Sequence, residues 1–344
     1  MTTGGVPPSQ EPPNEAPKHS APQKRHWAQI GEVTSVNGMK ALLMVHRLLG
    51  RWPFRFFVYP ALVFYILRHP LARVSSRMYL SRVYATMDGK ARSATLWNSV
   101  QHFGAFAENI LDKLRIWAGE LKASDVEFRN YDIIHDQVLA GRGGLIIVTH
   151  LGNAEVCRAL TTRKNGIRLT VLVHTKHAAT FNKLLADLDP ASTLNIQQVT
   201  EVSADTVIRL RERVDRGEYI VIAGDRVPIA HRPRVAPALF LGTPAGFPVG
   251  PYVLASLLQC PTYLLFCIPE RGTYQAYFES FRERIVLPRT TRDAALRELA
   301  TEFAARLAHY CRIAPLQWFN FYDFWDMSHS APSTAPVAAP DATH

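Results

Sequence analysis

Leu145-Ile-Ile-Val-Thr-His150-Leu-Gly-Asn-Ala-Glu155 decides how the chain is read. Leu145 to Thr149 is short, uncharged and partly β-branched, with Gly143-Gly144 before it and Gly152-Asn153 after it. Such a run is a buried strand of a parallel sheet, and His150 falls at its carboxyl end. In one continuous helix, residues five apart point about 140° away from each other, so His150 and Glu155 would not meet. A turn at Gly152-Asn153 changes that. With Asn153 capping a helix from Ala154, Glu155 sits in the first helical turn and reaches back to the imidazole. The carboxylate then fixes the tautomer of His150 and leaves the other ring nitrogen to take a proton from a hydroxyl. The competing reading is a strand-end histidine held only by packing.

Downstream, strands and helices alternate. Leu169–His174, Leu194–Val199 and Tyr219–Ala223 read as strands, Ala178–Leu188 and Ser203–Arg216 as helices. This alternation predicts an α/β fold with a mainly parallel sheet flanked by helices, joined by right-handed crossovers. Ligands in such sheets lie at the carboxyl ends of strands, which brings Asp225 and Arg226 to the same edge as His150. An Arg beside a carboxylate can hold a phosphate or a thioester carbonyl, or it can simply close a loop. Phe240–Tyr252, rich in Gly and Pro, reads as an apolar turn around Gly242 leading into a helix at Pro251, with amides able to receive an anion. An ordinary packed loop is the alternative. Ser93–Trp117, Asp125–Ala140 and Ala294–Ile313 carry helical periodicity, the second behind a Ser124-x-x-Glu127 capping box. Thr262–Ile268 and Tyr274–Glu279 read as strands.

At 344 residues the chain can bury a large core, organised as one domain. Residues 1–23 and 328–344 are poor in anything to bury and are expected to be disordered; the first 25 residues hold no apolar stretch of the signal-peptide kind. Cys157, Cys260, Cys267 and Cys311 show no metal spacing, which fits reduced thiols and implies no metal site. Charge is uneven. From Lys24 to Arg92 there are twelve Lys or Arg against Glu32 and Asp88, a net +10 that equals the charge of the whole chain. Inside this stretch lies Phe56-Phe-Val-Tyr-Pro-Ala-Leu-Val-Phe-Tyr-Ile-Leu67, flanked by Arg55 and Arg68. A spanning helix needs about 20 apolar residues, so residues 24–92 are expected to be a helical, membrane-associating region lying on anionic lipid, with a buried core helix kinked at Pro60 as the alternative for the apolar block. Phe56, Phe57, Val63, Phe64 and Ile66 would insert. The aromatics form one block instead of alternating with the basic residues, which argues against nucleic acid as the partner.

His150-Leu-Gly-Asn-Ala-Glu155 resembles the His-x4-Asp/Glu motif of the lysophospholipid acyltransferase superfamily, in the branch of the lipid A late acyltransferases. Gly224-Asp-Arg, the Phe240–Gly250 block and Pro315-Leu-Gln-Trp318 resemble further blocks of that branch, and the resemblance runs from about Trp27 to Trp325. The Glu-Gly-Thr-Arg block of the glycerophospholipid branch is absent. The resemblance implies a membrane-associated acyltransferase with core 93–327, at the cytoplasmic face of a bacterial inner membrane. His150 and Glu155 would be catalytic, and Asn153, Asp225, Arg226 and Gly242 would bind donor or substrate. An acyl thioester of acyl carrier protein or coenzyme A would be the co-substrate, a lipid or glycolipid the acceptor, with no bound cofactor. A non-catalytic protein binding lipid or acyl carrier on the same fold is the alternative; a hydrolase would want a Gly-x-Ser-x-Gly elbow, which is missing.

Overall fold

The computed structural model describes residues 44, 50–88, 93–117, 120, 125–155, 167–173, 195–198, 203–227, 233–327 and 331–332. Residues 1–23, the helix at 178–188, Cys157, most of residues 24–49 and the 328–344 end apart from Ala331–Pro332 lie outside these; that pair forms a short strand against Arg234–Val235 where disorder is expected. In chain order the elements are α1 (Arg51–Arg68), α2 (Pro70–Asp88), α3 (Leu96–Trp117), β1 (Val126–Arg129), α4 (Asp132–Leu139), β2 (Gly144–Gly152), β3 (Leu169–Val173) and β4 (Asn195–Gln198). There follow α5 (Ala204–Asp215), β5 (Tyr219–Ala223), β6 (Arg234–Phe240), β7 (Thr243–Pro248), α6 (Gly250–Leu258), β8 (Thr262–Glu270), β9 (Thr273–Arg282) and α7 (Arg292–Ile313). A 3₁₀ turn at Pro315–Gln317 precedes the tail, whose Ala331–Pro332 forms β10.

Continuous apolar runs place both faces of a strand in the core, and that is how the sheet is built. Its order is β1-β9-β8-β2-β5-β3-β4. Strands β8, β2, β5, β3 and β4 run parallel; β9 reverses by the hairpin from β8, and β1 follows β9. The mixed α/β fold with a mainly parallel sheet is therefore present. On one face α7 buries Leu296, Leu299, Ala300, Phe303, Ala304 and Leu307, the i, i+3, i+4 stripe of an amphipathic helix, against Leu145 and Ile147 of β2. The other face presents Ile146, Val221, Leu265 and Phe278. Ser203 caps α5 by accepting from the Thr206 N–H.

Three local expectations change. Residues 125–140 are not one helix: Val126 and Phe128 alternate with Glu127 and Arg129, a period of two, and pair with β9 before Asn130, at φ 56°, turns the chain into α4. Phe240–Gly250 is not an open apolar turn. It belongs to an antiparallel hairpin, β6 and β7, whose Leu241-Gly242 turn has φ 49° and 79°. Both central residues at positive φ suit a tight hairpin, and Gly is the cheaper occupant of such a position. Third, β2 continues past His150 to Gly152, with its pairing to β8 shifting between Val148 and Gly152.

The twelve-residue block lies inside α1, which is 18 residues long with Pro60 within it. Phe56, Phe64 and Leu67 are exposed, as are Leu71 and Val74 on α2. Ile66 is not among them: it is buried with Ala72, Val100 and Phe103 where α1, α2 and α3 pack. The side chain of Phe57 lies outside the described set. Among the described residues, no helix is long and apolar enough to cross a membrane.

α3 also buries an ionisable ring. His102 is fully enclosed, with Ser76 Oγ 3.0 Å from Nδ1, and its Nε2–H donates to the Trp318 carbonyl at 2.9 Å. Burial pushes its pKa down from 6.5 to about 4, against the pull of the Trp318 carbonyl. Between those values the unfolded chain holds a proton that the folded chain refuses. Stability is thus complete above pH 6.5 and is lost as pH falls toward 4, by about 3 kcal/mol from this one ring. Denaturant unfolding at stepped pH should show that loss. His102→Phe, which cannot protonate, should have a shallower acid slope; equal slopes would remove His102 as the cause.

Candidate active site

Two parallel strands lying side by side end together, and this sets the site. β2 and β5 pair from Gly144–Tyr219 to Val148–Ala223, after which the Gly224 N–H donates to the Val148 carbonyl at 2.9 Å. One step further, His150 and Asp225 face each other. The His150 Nδ1–H donates to Asp225 Oδ1 at 2.8 Å, and the His150 main-chain N–H donates to Asp225 Oδ2 at 2.7 Å. The carboxylate on the imidazole is Asp225. The part expected of Glu155 is thus taken by a residue 75 positions away in sequence, because β5 lies beside β2 and ends level with His150. Glu155 instead lines an apolar cavity of about 80 Å³ with Ile146, Val148, Val221, Leu265 and Phe278. Val148 precedes His150 by two residues on the same strand.

Asp225 is 1% exposed and the His150 side chain 36%, so the pair has a buried end and an accessible end. Burial pushes the Asp225 carboxyl up, but the facing His150 imidazole, its two hydrogen bonds and the Trp318 indole outweigh that and hold the group below its ordinary range. Burial holds His150 below the usual imidazole value; the Arg226 guanidinium and Lys113 add to this, and Asp225 opposes it. At neutral pH the ring is therefore uncharged, with its proton on Nδ1 and its lone pair on Nε2, the state of a general base.

Arg226 donates from Nη2 to the Phe319 carbonyl at 3.1 Å. The Phe319 N–H in turn donates to the His150 carbonyl at 3.0 Å, and Leu151 bridges Trp318 in antiparallel fashion. The segment after α7 thus lies along the end of β2. Trp318 Nε1–H donates to Asp225 Oδ2 at 2.9 Å. Nothing in the spacing around Trp318 assigns this third donor to the site. The Pro-x-Gln-Trp block was its only signal.

Asn153 is fully buried. Its N–H donates to the Cys267 carbonyl at 2.7 Å, and its amide lies beside the Tyr274 hydroxyl, which donates to Asp112 at 2.6 Å. Asn109 Nδ2 donates to the Gly152 carbonyl at 2.9 Å. These contacts make residues 152–153 a buried elbow between β2, α3 and β8. Gly242 sits in the β6–β7 turn with open space around it, and the turn's positive φ accounts for a glycine there. Among the described residues, no group of three or more His, Cys, Asp or Glu could hold a metal ion.

The chain matches no family model and no curated protein. What the site can do rests on its own geometry. An accessible imidazole nitrogen, a buried carboxylate fixing the opposite nitrogen, a guanidinium close by and an apolar cavity can together take a proton from a nucleophile beside a polarised carbonyl.

Proposed function

We propose that this protein is a membrane-surface acyltransferase of the lysophospholipid acyltransferase type. It would pass a fatty acyl chain from a thioester to a lipid or glycolipid. The observation that carries this reading is the His150–Asp225 pair at the carboxyl edge of a parallel sheet, beside Arg226 and two residues beyond the cavity-lining Val148.

His150 Nε2 accepts the proton of the acceptor's hydroxyl or amine as that atom attacks the thioester carbonyl. Arg226 stabilises the developing oxyanion, and collapse of the tetrahedral intermediate expels the thiolate, which takes up the proton from His150. Both substrates are present together, and no acyl-enzyme is formed. The cavity's apolar lining suits a few methylenes of the chain, which is what about 80 Å³ can hold. Acyl carrier protein is the preferred donor over coenzyme A, since it is acidic and residues 24–92 are basic. The protein would work at the cytoplasmic face of a bacterial inner membrane.

The direct test supplies acyl carrier protein and coenzyme A thioesters in turn with a bacterial lipid extract, then measures thiol release and acylated lipid by mass spectrometry. Acceptor-dependent release supports the reading. Thioester or carrier binding with no turnover would assign the chain to non-catalytic binding proteins.

Membrane attachment has its own test. Phe56 and Phe64 are 73% and 72% exposed, on the same helix as Leu67. Of the arginines around them, Arg55 is offset by Glu108 at 2.7 Å, while Arg77, donating to the Ala94 carbonyl, and Arg82, over the Trp325 ring, keep their charge. High salt should therefore release the protein in part, and the inserted rings should hold the rest. Phe56→Asp combined with Phe64→Asp should reduce partition onto vesicles of anionic lipid by roughly tenfold or more per ring, given about 1.5 kcal/mol or more for each buried phenyl. Full release of the unaltered protein by salt alone would reject apolar insertion.

A further inference from the structure

We infer that Trp318 is a positioning residue for the His150–Asp225 pair: its indole N–H fixes the carboxylate that decides which nitrogen of His150 carries the proton. The kinetic part of this inference rests on the function proposed above; the structural part does not.

Asp225 accepts three hydrogen bonds. Two come from His150 itself, one to each oxygen, and the third comes from Trp318 to Oδ2. A carboxylate held by a single residue moves with that residue. The third donor arrives from a different segment and gives the carboxylate a fixed frame. That segment is anchored on its own account. The Trp318 ring is fully buried, with centroids 4.9 Å from Tyr79, 5.2 Å from Phe240 and 5.1 Å from Phe324. Its carbonyl accepts from His102 of α3, its backbone bridges Leu151, and the next N–H donates to the His150 carbonyl. Packing alone would account for an aromatic ring at 318. It would not account for the ring's one polar atom meeting the buried carboxylate of the site. The other titratable groups around the pair are Arg226 and Lys113 near the imidazole, and Tyr322 and Cys311 near the carboxylate.

The test uses the full chain with ¹⁵N-labelled histidine. Nitrogen chemical shifts read the tautomer of His150 without any substrate. The unaltered protein should show neutral His150 protonated on Nδ1. Trp318→Phe keeps a buried ring and removes the donor; it should give a substantial Nε2–H population and a kcat lower by about tenfold or more, the scale of one hydrogen bond to a charged group, with KM little changed. If Trp318→Phe fails to fold, 3-benzothienylalanine at 318 keeps the indole shape and lacks the N–H, and the same shift is expected. A variant that melts at lower temperature yet keeps the Nδ1 tautomer and its kcat would overturn the inference, leaving Trp318 as packing only. A shifted tautomer in a protein that transfers no acyl group from any thioester would keep the positioning role and reject the acyltransferase reading instead.

Discussion

Asp225→Asn is expected to slow acyl transfer by roughly 10²–10⁴-fold, the contribution typical of a working general base, whereas Glu155→Gln should cost far less. The asparagine amide can turn its NH₂ toward Nδ1. The imidazole proton then moves to Nε2, and the nitrogen that must accept the nucleophile's proton is no longer basic. The amide also cannot stabilise the imidazolium that forms during transfer. His150→Gln should fall to a similar level, and combining it with Asp225→Asn should add little, since the two residues act as one unit. Initial rates for the four variants and the unaltered protein, with circular dichroism to show that each is folded, check this. A larger loss in Glu155→Gln than in Asp225→Asn would return the orienting role to Glu155.

Gly152→Ala should be the most destabilising single methyl in the site, costing on the order of 4 kcal/mol or more. Its φ is +67°, and an added Cβ would stand 1.8 Å from the Cys267 carbonyl oxygen. That neighbour is backbone, so no side chain can swing aside. The next N–H donates to the same oxygen, and the Gly152 carbonyl is held by Asn109, which blocks retreat in either direction. Gly242→Ala is the control. Its φ is +79° with nothing near the new methyl, so it should cost only the left-handed strain of about 1–2 kcal/mol. Denaturant midpoints of the two variants compare them. Equal losses would mean that the elbow relaxes, and that the contact with Cys267 sets no limit.

Much of this was legible before the fold was known. His150, Asp225 and Arg226 each follow a short apolar run, and the parallel-sheet rule brings such positions to one edge. Which carboxylate meets His150 was not legible, because β2 and β5 are neighbours only by strand order, a tertiary fact that local spacing does not carry. Spacing favoured Glu155 for being close in sequence. β1 was hidden for another reason: four alternating residues beside α4 were absorbed into its helical period. In β6 and β7, Pro237, Pro244, Pro248 and Gly246 masked a hairpin, since proline usually demotes a strand; it is tolerated in this small sheet, apart from the main one. Arg55, Arg77 and Arg82 counted as surface charge in the sequence, yet each has a partner within the fold.

The late position of Trp318 has a consequence for the protein's synthesis. At about 5–20 residues per second, the stretch from Asp225 to Trp318 takes roughly 5–20 s to emerge. Through that interval β8, β9 and α7 are still being made, and the indole donor and the Phe319 N–H that meets the His150 carbonyl come last. Chains broken off after α7 would lack this closure and, with Trp318 and Phe324, part of the main core as well. Completion of translation therefore becomes the step that arms the site, and unfinished copies are expected to lack both its closure and part of the core.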